Sequence, residues 1–289
     1  VNDPTLIRIG SLEPKPSDAP WQDKLARLES QIAGMGSVVV AYSGGVDSSL
    51  LLAVAHRVLG ERALGVIGRS DSYARRELDL ALEQAAAIGA RVEIVATGEL
   101  SNPDFRSNPA RRCYHCKSEL YRRLTEVAAR VGASAVLDGT IADDLSDWRP
   151  GRDAATERAV RSPLAEIGFR KTDVRSAAAH LGLASRDKPA SPCLASRIPY
   201  GTEITREKLS AVERAEALLA SLGFAELRVR HHGEIARIEV PVAELGRFLE
   251  PRTRMKVVEE LRALGFRFVT LDLQGFRSGS LNTSLPGQV

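Results

Sequence analysis

Four short apolar runs set the pattern of the first two-thirds of the chain: Val38 to Tyr42, Ala63 to Gly68, Val92 to Ala96 and Ala135 to Leu137. Between them lie Ala/Glu/Arg/Leu-rich stretches of helical character, such as Ala74 to Ile88 and Ser118 to Val131. Apolar strands alternating with helices predict βαβ units, hence an α/β fold with a parallel sheet covered by helices on both faces. In such a sheet ligands bind beyond the carboxyl ends of the strands. The segments that follow three of the runs, at Ser43, at Arg69-Ser70 and at Asp138-Gly139-Thr140, are therefore expected to converge on one crevice.

From about Glu203 the pattern changes. Lys208 to Leu222 reads as an amphipathic helix, and Leu227 to Arg230 and Ala236 to Val240 alternate as half-buried strands around a turn at His232-Gly233. Val242 to Phe248 and Thr253 to Leu264 read as helices and Phe266 to Leu273 as a last strand. The expected organisation is a lead-in over 1–22, an α/β domain over 23–202, a smaller α+β domain over 203–276 and a loose tail over 277–289.

The 289 residues are 44% hydrophobic and 27% charged, the balance of a globular chain. No apolar run approaches the roughly 18 residues of a membrane span, and the Pro-containing stretch Val1 to Pro20 lacks the apolar centre of a secretory signal. Forty basic against 37 acidic side chains give +3, which points away from nucleic acid and towards a small-molecule partner. Three cysteines are too few for a disulfide framework and suit a reducing cytoplasm.

Ser43-Gly44-Gly45-Val46-Asp47-Ser48-Ser49, directly behind the first apolar run, carries the clearest chemistry. Paired glycines permit a tight turn and close approach to an anion, and the helical run that follows would face its N–H groups towards it. The loop reads as a pyrophosphate cradle for ATP cleaved between its α and β phosphates, with Asp47 on Mg²⁺ and the Ser43, Ser48 and Ser49 hydroxyls on phosphate oxygens. No Gly-Lys pair occurs in the chain, so the Walker loop is absent. Asp138-Gly139-Thr140-Ile141-Ala142-Asp143-Asp144 offers a second Gly turn with paired carboxylates.

Cys113 and Cys116 stand three positions apart in Arg112-Cys113-Tyr114-His115-Cys116-Lys117, and Cys193 lies in Lys188-Pro189-Ala190-Ser191-Pro192-Cys193-Leu194-Ala195-Ser196-Arg197. The surroundings are polar and basic. Nearby Lys188 and Arg197 are expected to lower the Cys193 pKa and make it a nucleophile or ligand. Three thiolates admit a zinc site completed by His115, or a [4Fe-4S] cluster with one iron left open; the second suits a chain that cleaves ATP. Arg228 and Arg230 alternate on a strand, so two guanidiniums share one face and can grip a phosphate or carboxylate. Glu216 and Glu239 are isolated carboxylates.

Taken together, these motifs, with Trp148-Arg149-Pro150-Gly151 and Ser162-Pro163-Leu164, resemble the LarE family of ATP-dependent sulfur transferases from about Leu25 to Phe276. The loop alone is shared with GMP synthetase, NAD synthetase and tRNA thiolases; the Lys-Pro-Ala-x-x-Cys-Leu-Ala-Ser-Arg segment is far more specific. The resemblance implies a PP-loop sheet, and adenylation of the carboxylates of pyridinium-3,5-biscarboxylic acid mononucleotide and their conversion to thiocarboxylates for a nickel-pincer cofactor. By motif position, Ser43, Gly44, Gly45, Asp47, Ser48 and Ser49, with Arg69, Ser70, Gly139, Thr140 and Asp144, would serve the nucleotide and Mg²⁺. Cys113, Cys116 and Cys193 would form the sulfur site lined by Ser196 and Arg197. Arg228 and Arg230 would hold the substrate phosphate, Glu216 and Glu239 would be carboxylates near the reaction, and Tyr114 would stack on the pyridinium.

In some members the single thiol at the position of Cys193 gives up its own sulfur; in others three cysteines hold a [4Fe-4S] cluster carrying reusable sulfide, and the ligand count here favours the latter. The resemblance further implies a hexamer and an external sulfide source. The rival readings are a tRNA thiolase, for which 12 basic and 10 acidic side chains between Arg206 and Arg267 make a weak footprint, an ammonia-dependent synthetase, and a nucleotide- or metal-binding module without turnover.

Overall fold

The computed structural model describes residues 19–146, 150–189 and 191–277. Trp148, Arg149 and Ala190, most of the expected lead-in and nearly all of the expected tail lie outside them. Helix α1 (Trp21–Ala33) buries Leu25, Leu28 and Ile32 and leads into strand β1 (Val38–Ala41). Then come α2 (Val46–Leu59), β2 (Ala63–Arg69), α3 (Arg75–Ile88), β3 (Arg91–Ala96), the short α4 (Pro103–Arg106), α5 (Arg112–Val131) and β4 (Ala135–Leu137). The four strands pair in parallel in the order β3-β2-β1-β4. Three further helices, α6 (Gly151–Glu157), α7 (Pro163–Ile167) and α8 (Lys171–His180), complete the layers.

Alternation along β1 divides the core. Val38 and Val40 face α1, α2 and α8 through Leu28, Leu51 and Val174, whereas Val39 faces α5 through Tyr121, Leu124 and Val127. Strand order reverses at β1, because the chain runs outwards to β2 and β3 and then returns to place β4 on the other side. A reversal of this kind opens a crevice at the carboxyl ends of β1 and β4, where Ser43 and Asp138 begin their loops.

Helix α9 (Arg206–Ser221), β5 (Arg228–His232), β6 (Ile235–Glu239), α10 (Pro251–Ala263) and β7 (Phe268–Leu271) follow. The three strands make a second sheet, antiparallel between β5 and β6 and parallel between β6 and β7. Its own core gathers Leu219, Phe224, Val229, Ile238, Val257 and Leu261. Residues 242–249, expected as an ordinary helix, form a 3₁₀ segment that buries only Phe248 and leaves Val242 and Leu249 exposed. A further cluster of Phe105, Leu194, Ala195, Ile198, Ile204, Leu209 and Val212 joins α4 and α9 to the turn after Cys193. Among the described residues no helix is long and apolar enough to cross a membrane.

Candidate active site

Two glycines shape the loop behind β1. Gly44 has φ +67°, and a Cβ there would lie 2.6 Å from Ala81 Cβ, so a larger residue meets both strain and a clash. Gly45 caps α2 in an extended conformation with no side-chain cap bond. The first helical bond runs from Ser49 N to Gly45 O at 2.9 Å, which leaves the amides of the first turn facing outwards for an anion. Ser48 Oγ donates to Gly45 O and accepts from Ser43 N, at 3.1 and 3.2 Å, drawing the loop into a cup. Tyr73 Oη closes it from outside by donating to Ser43 O at 2.9 Å. Ser49 turns the other way: it is fully buried, with its hydroxyl on Gln84, so only its backbone belongs to the cup.

Asp47, the expected Mg²⁺ ligand, receives Lys171 Nζ on both carboxylate oxygens at 2.8 and 2.7 Å. Lys171 opens α8 and also donates its backbone N–H to Asp143. An incoming cation and phosphate can exchange with this pair, the cation for the ammonium on Asp47 and the phosphate for the carboxylate on Lys171. Nothing near Lys171 in sequence announces this, since 124 residues separate the partners.

Gly139 packs directly on the loop. A Cβ added to it would stand 2.9 Å from Ser48 N and 3.2 Å from Asp47 C. Asp138 fixes the approach by accepting from Tyr121 Oη and Ser162 Oγ, each at 2.7 Å, and from Thr140 N at 3.1 Å. Asp144 accepts from Ile141 N and closes the turn that follows. Arg69 ends β2 with an exposed side chain, and Ser70 Oγ bonds Ser72 Oγ at 2.9 Å. Because backbone lines the contact, Gly139→Ala forces the loops apart by an overpacking cost of about 1–3 kcal/mol. Nucleotide titration of this variant is expected to show ATP affinity lowered by about tenfold or more.

The thiols come from two segments. Cys113 and Cys116 lie at the start of α5, which begins six residues before the Ser118 expected from periodicity, because Arg112 is the buried residue of its first turn and Tyr121 the first buried aromatic one. Their spacing puts them on one helix face. Cys193 precedes the 3₁₀ turn Leu194–Arg197 and is tied to the β2 loop by Leu194 N donating to Ser72 O at 2.8 Å. Burial pushes the Cys116 thiol well up, helped by Glu99 and Cys193. Burial and Cys193 also raise Cys113, against the pull of Arg112 and Lys117. Both thiols of the pair thus sense Cys193.

The two cations flanking Cys193 in sequence are engaged elsewhere than expected. Lys188 Nζ donates to Gly44 O at 3.1 Å and pairs with Glu77 at 2.8 Å. Arg197 holds Glu216 bidentately at 2.8 and 3.0 Å and donates to Pro192 O, Cys193 O and Ser196 Oγ. Arg197 therefore braces the Cys193 loop through its carbonyls. Lys188, five residues upstream, pins the same segment to the phosphate loop. Among the described residues no three His, Cys, Asp or Glu side chains are grouped to hold a metal ion, and His115 packs edge-on against Tyr114. Three cysteine donors, with Cys116 and Cys193 packed against the Phe105 and Leu194 cluster, fit a multi-iron cluster spread over several ångströms better than one zinc ion.

The two strand arginines separate in role. Arg230, 2% exposed, grips Glu239 bidentately at 3.0 Å twice and donates to Ser196 O at 2.7 Å. Glu239 also accepts from Arg237, and Glu216 accepts from Val229 N as well as Arg197. Both glutamates are thus hydrogen-bonded anchors. Arg228 is buried over the Phe276 ring at 4.6 Å, with no ion pair among the described residues. Burial, then Arg197 and Arg230, push its pKa down to about 10, the sign of a cation short of an anion. Tyr114 points its hydroxyl at Glu157 of α6, and Arg111 lies 5.3 Å from its ring centre.

No family model matches the chain. It is 46% identical over 264 residues, 91% of its length and 98% of the relative's, to an uncharacterized protein of Synechocystis sp.. It is 43% identical over 263 residues to the pyridinium-3,5-bisthiocarboxylic acid mononucleotide synthase of Lactiplantibacillus plantarum, covering 91% of this chain and 95% of that one. At 28% identity over 220 residues, 71% of each chain, it also matches a glutamine-hydrolyzing GMP synthase component of Methanoculleus marisnigri. The parallel sheet, the glycine loop at its carboxyl edge and these relatives agree: the fold is of the PP-loop class, and the chain is an enzyme of the LarE family, to which the Lactiplantibacillus synthase belongs.

Proposed function

We propose that this chain is an ATP-dependent sulfur transferase that converts the carboxylates of pyridinium-3,5-biscarboxylic acid mononucleotide to thiocarboxylates. The observation that carries the reading is the single segment from Lys188 to Cys193, pinned to the phosphate loop at one end and bearing a thiol beside Cys113 and Cys116 at the other. It couples an ATP cradle to sulfur chemistry within six residues. The name of the Lactiplantibacillus relative supplies the substrate class.

The chemistry follows from leaving groups. Carboxylate oxygen leaves poorly, so attack of the carboxylate on the ATP α-phosphate, with loss of pyrophosphate, yields an acyl-adenylate open to a sulfur nucleophile. The first-turn amides of α2 stabilise the departing pyrophosphate, Asp47 would hold the Mg²⁺ that neutralises it, and Lys171, freed from Asp47, adds a cation on the same side. Arg228 takes the substrate phosphate, and Arg230 holds that wall through Glu239. Cys113, Cys116 and Cys193 would hold a [4Fe-4S] cluster, which would supply the sulfide that attacks the adenylate. Arg197 and Glu216 hold Cys193 against the adenylate site. The unit built on the second sheet acts as the substrate and assembly domain of a homo-oligomer.

The test is pyrophosphate release from Mg-ATP with and without the pyridinium dicarboxylate mononucleotide. Release that depends on this compound, with AMP as the co-product, is expected. Release that stays at background, or ADP in place of AMP, removes the proposal.

A further inference from the structure

The two thiol-bearing segments are joined at a residue that no step of this reaction uses. Asn108, fully buried, lies just before α5 with φ +56°. Its Nδ2 donates to the carbonyls of Pro199, Thr202 and Ile198 at 2.7, 3.1 and 3.2 Å, and its backbone O accepts from Gly201 N at 2.9 Å. Its Oδ1 accepts from Arg112 Nη1 at 2.7 Å, and the Arg112 guanidinium lies 4.7 Å from the Tyr200 ring centre. Beside it Ile204 N donates to Arg106 O at 2.8 Å, and the Arg106 side chain pairs with Glu203. Among the described residues, every hydrogen bond between 105–116 and 192–204 passes through Arg106 or Asn108.

From Asn108 the constraint reaches the sulfur atoms by short paths. On one side Arg112 opens α5, and Cys113 and Cys116 follow in the same helix. On the other, Ile198 ends the 3₁₀ turn that starts after Cys193, and Arg197 ties that turn to the carbonyls of Pro192 and Cys193. Phe105, Ile198 and Ile204 share one apolar cluster, against which Cys116 and Cys193 both pack. Asparagine supplies what the position requires: tolerance of the left-handed backbone, two N–H donors for the carbonyls and an oxygen for Arg112. Aspartate has nearly the same shape and tolerance, and it would give Arg112, which has no carboxylate partner among the described residues, a counter-charge. It offers lone pairs, however, where three carbonyls need donors. Asn108→Asp therefore keeps its hold on α5 and loses its hold on the Cys193 segment.

We propose that Asn108 is a positioning residue that fixes Cys193 against Cys113 and Cys116 before any metal is bound. That the three thiols then work as one sulfur site rests on the function proposed above; the brace does not.

The experiment uses the full chain, iron-free and reduced, carrying Cys113→Ser so that Cys116 and Cys193 remain, with the bifunctional thiol reagent dibromobimane as the probe. Intact mass separates one reagent bridging two thiols from two reagents on separate thiols. The parent chain is expected to be mostly bridged. Adding Asn108→Asp is expected to lower the ratio of bridged to doubly labelled chain about tenfold, the change that about 1.4 kcal/mol gives, with ATP affinity unchanged. A residue that served stability alone would lower the thermal midpoint and leave this ratio as it was in chain still folded by circular dichroism. Equal ratios with and without Asn108→Asp, or a parent chain that is not bridged, overturn the proposal. Where Asn108→Asp fails to fold, hydrogen exchange in the parent decides. Because coupling is reciprocal, bridging should slow the Gly201 and Ile204 amides, which donate across the join, more than the amides of β1; an equal effect overturns the brace. Bridging that depends on Asn108, found together with a wild-type chain that releases no pyrophosphate, keeps the brace and sinks the function; the converse pair of results sinks the brace alone.

Discussion

Alanine at any one of Cys113, Cys116 or Cys193 is expected to bring thiocarboxylate formation to background, while ATP is still cleaved when the pyridinium substrate is added. The reason is the separation of the two tasks. The phosphate cup is built from Gly44, Gly45, Ser48 and the start of α2, with Gly139 against it, and none of the thiols contributes to it. On the proposed route the thiols act only once the adenylate exists. Burial, with Cys193 adding to it, raises the Cys113 and Cys116 thiols, so under the proposed function iron would have to displace their protons on binding. Iron content after anaerobic reconstitution should fall in all three variants. A result in which only Cys193→Ala is inactive, while the other two variants each yield one product per chain and lose one sulfur from Cys193, would show that the cysteine itself is consumed.

Glu239→Ala is expected to destabilise the chain by about 3–5 kcal/mol, because it removes the bidentate counter-charge of a guanidinium almost fully removed from water, and Arg230→Ala by less, because Arg237 still pairs with Glu239. Replacing both together, Arg230→Met with Glu239→Leu, should recover most of that loss, since an apolar pair of similar volume avoids desolvation altogether. Urea unfolding reads the effect as a lower midpoint at unchanged slope. The same pair distinguishes a brace from a reacting group. For a brace, Glu239→Gln lowers stability and activity together, since Arg230 loses its counter-charge and with it the hold on Ser196 O. Activity lost at unchanged stability would instead make Glu239 a participant in the reaction.

The sheet was legible because β1, most of β2 and the end of β4 are buried and so read as apolar runs, while the more exposed edge strand β3 still carries Val92, Ile94 and Val95; Ala135–Leu137 has the bounds that periodicity alone predicts. The loop at Ser43 was legible for a stricter reason, since Gly44 adopts a conformation and a contact with Ala81 that other residues strain to match. The start of α5 was not, because the one residue it buries there is Arg112, to which hydrophobic periodicity is blind. Nor were the roles of Lys171 and Lys188, whose partners stand 124 and 144 residues away. The alternation of Arg228 and Arg230 correctly puts both on a shared strand, but only the fold shows that Arg230 is matched by Glu239 and that Arg228 stacks on Phe276. Local sequence reports where charges are available; tertiary structure decides which of them already have counter-charges.

The most direct test of sulfur transfer onto an ATP-activated carboxylate is the mass of the pyridinium mononucleotide after anaerobic incubation of the iron-loaded chain with Mg-ATP and sulfide, with AMP counted in the same sample. One sulfur in place of one oxygen is expected for each carboxylate converted, and one AMP for each sulfur. An unchanged substrate mass, or a mass gained without AMP, would contradict transfer through an adenylate.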